Sequence, residues 1–166
     1  MPITPVHFGP GAAIHVLAPR HVSFLAFCAA NVLIDVEPLY FIVTGQYPVH
    51  RFFHTYVGAS LIVVATFALF VSAGWFAARF WLPNLFGWRE LGRWPVVVGA
   101  AAGSYSHVAL DSVMHPDITP FAPFSNANPF LEAVSLSTLH WSCVATGLAA
   151  LCVLGIRGLR QRDNAR

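Results

Sequence analysis

The stretch TYVGASLIVVATFALFVSAGWFAA, Thr55 to Ala78, runs for 24 residues without a charged side chain. A helix of that length rises about 36 Å, and the hydrocarbon core of a bilayer is about 30 Å thick. Working outward, Ala133 to Ile156 is a second run of 24 residues without Asp, Glu or Arg, interrupted only by His140. Trp94 to Leu110 gives 17 more, and its helix is expected to continue through Asp111 to His115. His21 to Thr44 is apolar apart from Asp35 and Glu37. These runs predict an all-α integral membrane bundle of four transmembrane helices, near 21–40, 55–80, 94–115 and 136–157. The 166 residues then form a single membrane domain with an Arg-rich tail over 157–166. Strand-like alternation is too weak for a membrane barrel.

Composition agrees. Hydrophobic residues make up 57% of the chain and charged residues 10%, against about 25% charged in soluble domains. That deficit excludes a disordered chain and a nucleic-acid-binding arm. All nine basic residues are Arg, and a net charge of +2 is too small to imply a polyanionic partner. Placing Arg20 inside puts eight of the nine Arg on the cytoplasmic side and leaves Arg51 alone outside, as the positive-inside rule requires. The three cysteines lie in apolar runs and read as small core residues, not as a disulfide framework.

The opening MPITPVHFGPG lacks the basic start and apolar run of a signal peptide. Ala12 to Ala18 is helix-prone but too short to span, so a short N-terminal re-entrant or embedded helix is expected. A hairpin turning at Pro19-Arg20 would lift His7 to about the depth of Asp35.

Eight His stand against seven carboxylates, and the polar groups converge. An Asp at the centre of a membrane helix costs about 2.5 to 3.5 kcal/mol unless paired or solvated. Asp35, Glu37 and Asp111 lie near outer helix ends, His50 and His54 in the outer loop, and His140 at an outer helix start. The strongest local pattern is His107-x-x-x-Asp111-x-x-x-His115. Steps of four keep side chains on one helical face, and imidazole with carboxylate suits a divalent metal such as zinc. A His–Asp hydrogen bond capping the helix is the alternative.

His50-Arg51-Phe-Phe-His54 repeats the spacing of four, with His54 the better ligand candidate and Arg51 a possible bidentate anion clamp. Asp35 and Glu37 point about 200° apart on a regular helix; Pro38 disfavours helix at Glu37, so an unwound end could turn both inward. His15 and His21 read as ordinary residues, one on an amphipathic face and one at an interface. The segment from His115 to Phe130 carries four prolines and is expected to form an ordered lid on the outer face, with Asp117 as a cap or supporting group.

Thr4-Pro-Val-His7-Phe-Gly-Pro-Gly11, Ile34-Asp35-Val-Glu37-Pro38, His50-Arg51-Phe-Phe-His54-Thr55 and Ser106-His107-Val-Ala-Leu-Asp111 resemble the YdjM-like inner-membrane proteins. That family is described as LexA-regulated, membrane-bound metal-dependent hydrolases. The resemblance covers about residues 2 to 150. A more distant similarity is to zinc-dependent phospholipases C. It implies His7, Asp35, His54, His107 and Asp111 as main ligands, with His115 and His140 at a further zinc. Val144 stands where that pattern has a carboxylate, so one or two ions are expected, zinc or manganese.

On this reading the chain is a metal-dependent hydrolase acting on a membrane lipid or lipid-linked phosphodiester, with Glu37 as general base and Arg51 on the substrate anion. A metal or ion transporter would place ligands at the midplane and polar groups on both sides, and the inner half here is nearly ligand-free. A haem bundle and a structural assembly factor are further alternatives; carboxylates beside the His fit a hard divalent ion better than haem.

Overall fold

A computed structural model describes residues 4–80, 84 and 90–164. No strand occurs among the described residues, and the helices run in the order expected. A 3-10 turn, Thr4–His7, leads into α1, Phe8–Leu17, and Pro19 follows its end. Helix α2, Phe24–Ile34, starts at Ser23, whose hydroxyl accepts the Ala26 N–H at 3.2 Å, a standard N-cap. Helix α3, Val36–Val43, continues α2 after a break at Asp35. A second 3-10 turn, Phe52–His54, precedes α4, Tyr56–Phe80. Helices α5, Arg93–Met114, and α6, Leu136–Asp163, complete the chain.

Three of these helical stretches are long and apolar enough to cross a membrane: Phe24–Val43, Tyr56–Phe80 and Leu136–Asp163. Their lipid-facing character shows in side chains left exposed along α4 and α6, among them Leu61, Val64, Trp75, Trp141, Leu148 and Leu151. Apolar faces of this extent are not left open to water. The expected fourth span is the difference. Helix α5 has the length, 22 residues, but is not among the membrane-long apolar helices. It carries Ser104, Ser106, His107, Asp111 and Ser112 with two glycines, and it compensates by burial. Nine of its residues are buried, packed against α2 on one side and α4 on the other.

Close helix approach makes that burial possible. A Cβ on Gly99 would collide with the Ser23 carbonyl, and one on Gly103 would meet the Phe27 carbonyl oxygen at 2.6 Å. Small residues four apart allow two backbones to touch, as in other membrane bundles. The N-terminal hairpin uses the same device. A side chain at Gly9 would strike the Cys143 carbonyl, so α1 lies flat on α6. Arg157 donates to the Val16 carbonyl at 3.0 Å and closes that pair. The expected inner loop, 81–95, lies largely outside the described residues.

Candidate metal centre

Helix α5 supplies His107 and Asp111, both buried, on one face as the spacing of four requires. His107 Nε2 lies 3.2 Å from Asp111 Oδ2 and 3.1 Å from Asp35 Oδ1. Its Nδ1 donates to Asn31 Oδ1 at 2.9 Å. Asn31 in turn donates to the Phe27 carbonyl at 2.9 Å, which fixes its amide orientation. With Nδ1–H so committed, Nε2 presents a lone pair to two carboxylates. Only a second proton or a cation makes that arrangement favourable.

The break between α2 and α3 brings in the acids. Pro38 has no N–H to give the Ile34 carbonyl, and the helix restarts at Asp35. Both carboxylates then turn inward, as a regular helix would not allow. Glu37 Oε2 accepts the Phe53 N–H at 2.9 Å and the Arg51 N–H at 3.2 Å. These bonds hold the 3-10 turn that delivers His54. His54 is fully buried, with Nε2 3.7 Å from both Asp35 Oδ1 and Asp111 Oδ2, and Nδ1 4.0 Å from Glu37 Oε2. Burial opposes a charge on His54, but Asp111, Asp35 and Glu37 outweigh it and hold the imidazolium up to a pKa of about 10.

One ligand atom each from Asp35, His54, His107 and Asp111 lies within 4.8 Å of all the others. Both His54 ring nitrogens, His107 Nε2 and Asp111 Oδ1 are buried without a hydrogen-bond partner among the described residues. A buried polar atom without a hydrogen bond costs about 1–3 kcal/mol, less where an ion-pair partner faces it. Four in one place fit a divalent cation, which all these donor types bind.

His7 reaches the cluster, as the hairpin geometry predicts. Its Nε2 is 3.3 Å from Asp111 Oδ1, and its Nδ1 is 3.3 Å from His107 Nδ1. His140 Nε2 is buried near His7 with no hydrogen-bond partner among the described residues, and His140 joins neither grouping of candidate ligands. His115 departs from the helical row. Helix α5 ends at Met114, and His115 is extended at φ −116°, ψ 115°. Its ring instead meets His50, with centroids 4.3 Å apart.

His50 and His54 also come together, centroids 4.7 Å apart, though not on a helix, because α4 begins only at Tyr56. Arg51 turns away. Its guanidinium lies 3.5 Å over the Phe41 ring, and its Nε donates to the Pro48 carbonyl at 2.9 Å. His15 is occupied with the Val22 carbonyl at 2.7 Å.

The segment after His115 is ordered and non-helical, as its prolines demand. Its Pro120 carbonyl accepts the Tyr56 N–H at 2.8 Å, and Asn128 donates to the Ser112 carbonyl at 2.8 Å. Asp117 caps a loop: Oδ2 accepts the Val49 and His50 N–H at 3.1 and 3.2 Å, and Oδ1 lies 3.0 Å from His50 Nδ1. Burial pushes the Asp117 carboxyl up, but His50 and these N–H groups outweigh it and hold it below the usual carboxylate range.

Three supporting residues lie outside the sequence-based ligand set, Asn31 and the paired His50 and Asp117. Asn31 carried a signal, since it stands four residues before Asp35 on the same helix.

An all-helical chain with three membrane-long helices and a buried His/Asp cluster able to hold a metal ion is therefore the class that fold and site define. No family model, curated protein or solved structure matches the chain.

Proposed function

We propose that this protein is a membrane-bound metal-dependent hydrolase acting on a lipid or lipid-linked phosphodiester at the outer face of a bacterial inner membrane. The observation that carries the reading is the convergence of Asp35, His54, His107 and Asp111 within 4.8 Å, with both His54 ring nitrogens, His107 Nε2 and Asp111 Oδ1 buried and making no hydrogen bond among the described residues. In this reading α5 is the fourth span, shielded by α2 and α4, and the Arg-rich ends are cytoplasmic.

The four residues hold a divalent cation, zinc or manganese, which supplies Lewis acidity and an activated water when bound. Asn31 fixes the His107 ring so that Nε2 faces the ion. His7 stabilises charge on Asp111. Asp35 is the most solvent-open ligand, its side chain 29% exposed, so substrate approaches from its side. Glu37 sits beside the ligand set, 4.0 Å from His54, and is the carboxylate placed to accept a proton.

A second reading, a metal-binding membrane protein without hydrolytic activity, is favoured by two contacts. Glu37 already serves two backbone N–H groups, and Arg51 is stacked on Phe41. The experiment is elemental mass spectrometry on detergent-purified protein beside a His107→Ala, Asp111→Ala double variant, followed by assay on phosphodiester lipids. Bound zinc or manganese lost in the variant, with turnover of a lipid, supports the hydrolase. Metal without turnover leaves the second reading, and no metal after reconstitution overturns both.

A further inference from the structure

We propose a second cation site, formed by His50, Asp111 and His115, that shares Asp111 with the first and makes the centre binuclear. The proposal rests on the metal-centre reading above and deepens it. One ligand atom from each of the three residues lies within 4.8 Å of the other two. His50 and Asp111 are buried, at 6% and 5% exposure.

The support around His50 is what distinguishes a built site from a chance grouping. The Asp117 carboxylate binds one residue and its neighbour: Oδ2 takes the Val49 and His50 N–H, and Oδ1 takes His50 Nδ1–H. That bond selects the tautomer and leaves Nε2 with the lone pair. A carboxylate behind an imidazole is the usual outer partner of a metal-bound His. The His50 and His115 rings lie 4.3 Å apart at a 34° tilt.

Asp111 is equipped to be shared. Its Oδ2 faces His107 and His54, while Oδ1 is buried 3.3 Å from His7 Nε2 and makes no hydrogen bond among the described residues. A carboxylate has about four lone-pair positions, enough for two ions. The resemblance implied a further zinc on His115 and His140. The geometry separates these two, pairing His115 with His50 and leaving His140 beside His7. Two cations sharing a carboxylate suit phosphoryl oxygens, in keeping with the phosphodiester class proposed above.

The test uses the full-length protein in detergent loaded with Mn(II). Bound metal is counted by elemental mass spectrometry, and coupling between ions is read by electron paramagnetic resonance. The expected result is about two ions per chain with an exchange-coupled signal. His50→Ala with His115→Ala should retain about one ion, now uncoupled, and that retained ion shows the variant has folded. Asp117→Ala should weaken the second ion about 10- to 100-fold and leave the first. One ion per chain in the wild type, unchanged in the His50/His115 variant, overturns the second site while the first stands. No ion in the wild type overturns both.

Discussion

Glu37 bears most directly on mechanism at the residue scale, because its Oε2 supports the turn beneath His54 while lying 4.0 Å from that ring. Glu37→Gln separates the two roles. If Glu37 moves a proton, metal content stays and turnover falls about 10²- to 10⁴-fold. If it only positions His54, metal affinity falls with turnover. Arg51→Ala is the contrasting variant. Its guanidinium packs on Phe41 outside the cluster, so metal content should be unchanged and stability should fall by about 0.5–1 kcal/mol, read by thermal unfolding in detergent.

His54 gives a pH prediction. In the metal-free protein its folded pKa of about 10 exceeds the unfolded 6.5. Its stabilising contribution is therefore complete below 6.5 and is lost as pH rises through about 10. Metal-stripped protein should lose Tm over that window, and His54→Gln should lose less.

Element-scale reasoning explains how six polar side chains gather between apolar helices. The Pro38 break, the two 3-10 turns and the end of α5 at Met114 each interrupt regular helix next to a candidate ligand. The α2–α5 contact then sets the distance from Asp35 to His107. Gly103→Ala places a methyl 2.6 Å from the Phe27 carbonyl oxygen and 3.0 Å from Asn31 Nδ2. Overpacking of this kind costs about 1–3 kcal/mol. Because Asn31 orients His107, metal affinity should fall as well, measured by competition with a chelating dye. Gly74→Ala meets nothing within 4 Å and should leave both quantities at or slightly above wild type.

For the whole molecule, the apolar faces of α4 and α6 point outward while nine residues of α5, His107 and Asp111 among them, are buried. A transporter would carry its ligands through to the other side. Here the cluster lies at the end of the bundle where α2–α3, the α4 entrance and the α5 exit meet. The positive-inside rule predicts an orientation that reporter fusions test. A fluorescent reporter fused after Arg166 should fluoresce in the cytoplasm, and a phosphatase reporter inserted near Asn126 should be active outside. The reverse pattern would overturn the orientation and move the site to the cytoplasmic face.

The helices, their order and part of the buried His/Asp cluster were legible in the chain itself. Uncharged runs of membrane length leave the backbone little choice but helix, because lipid offers no other hydrogen-bond partner. The spacing of four placed His107 and Asp111 on one face for the same local reason. His115 and His50 were not decided by spacing, since both lie just beyond helical backbone and meet through the loop that Asp117 ties down. Nor was the burial of α5, which depends on glycines admitting Ser23 and Phe27 of a helix some seventy residues away. Local sequence fixes periodicity. Only tertiary packing decides which polar side chains share a dry interior, because that depends on contacts between segments far apart in the chain.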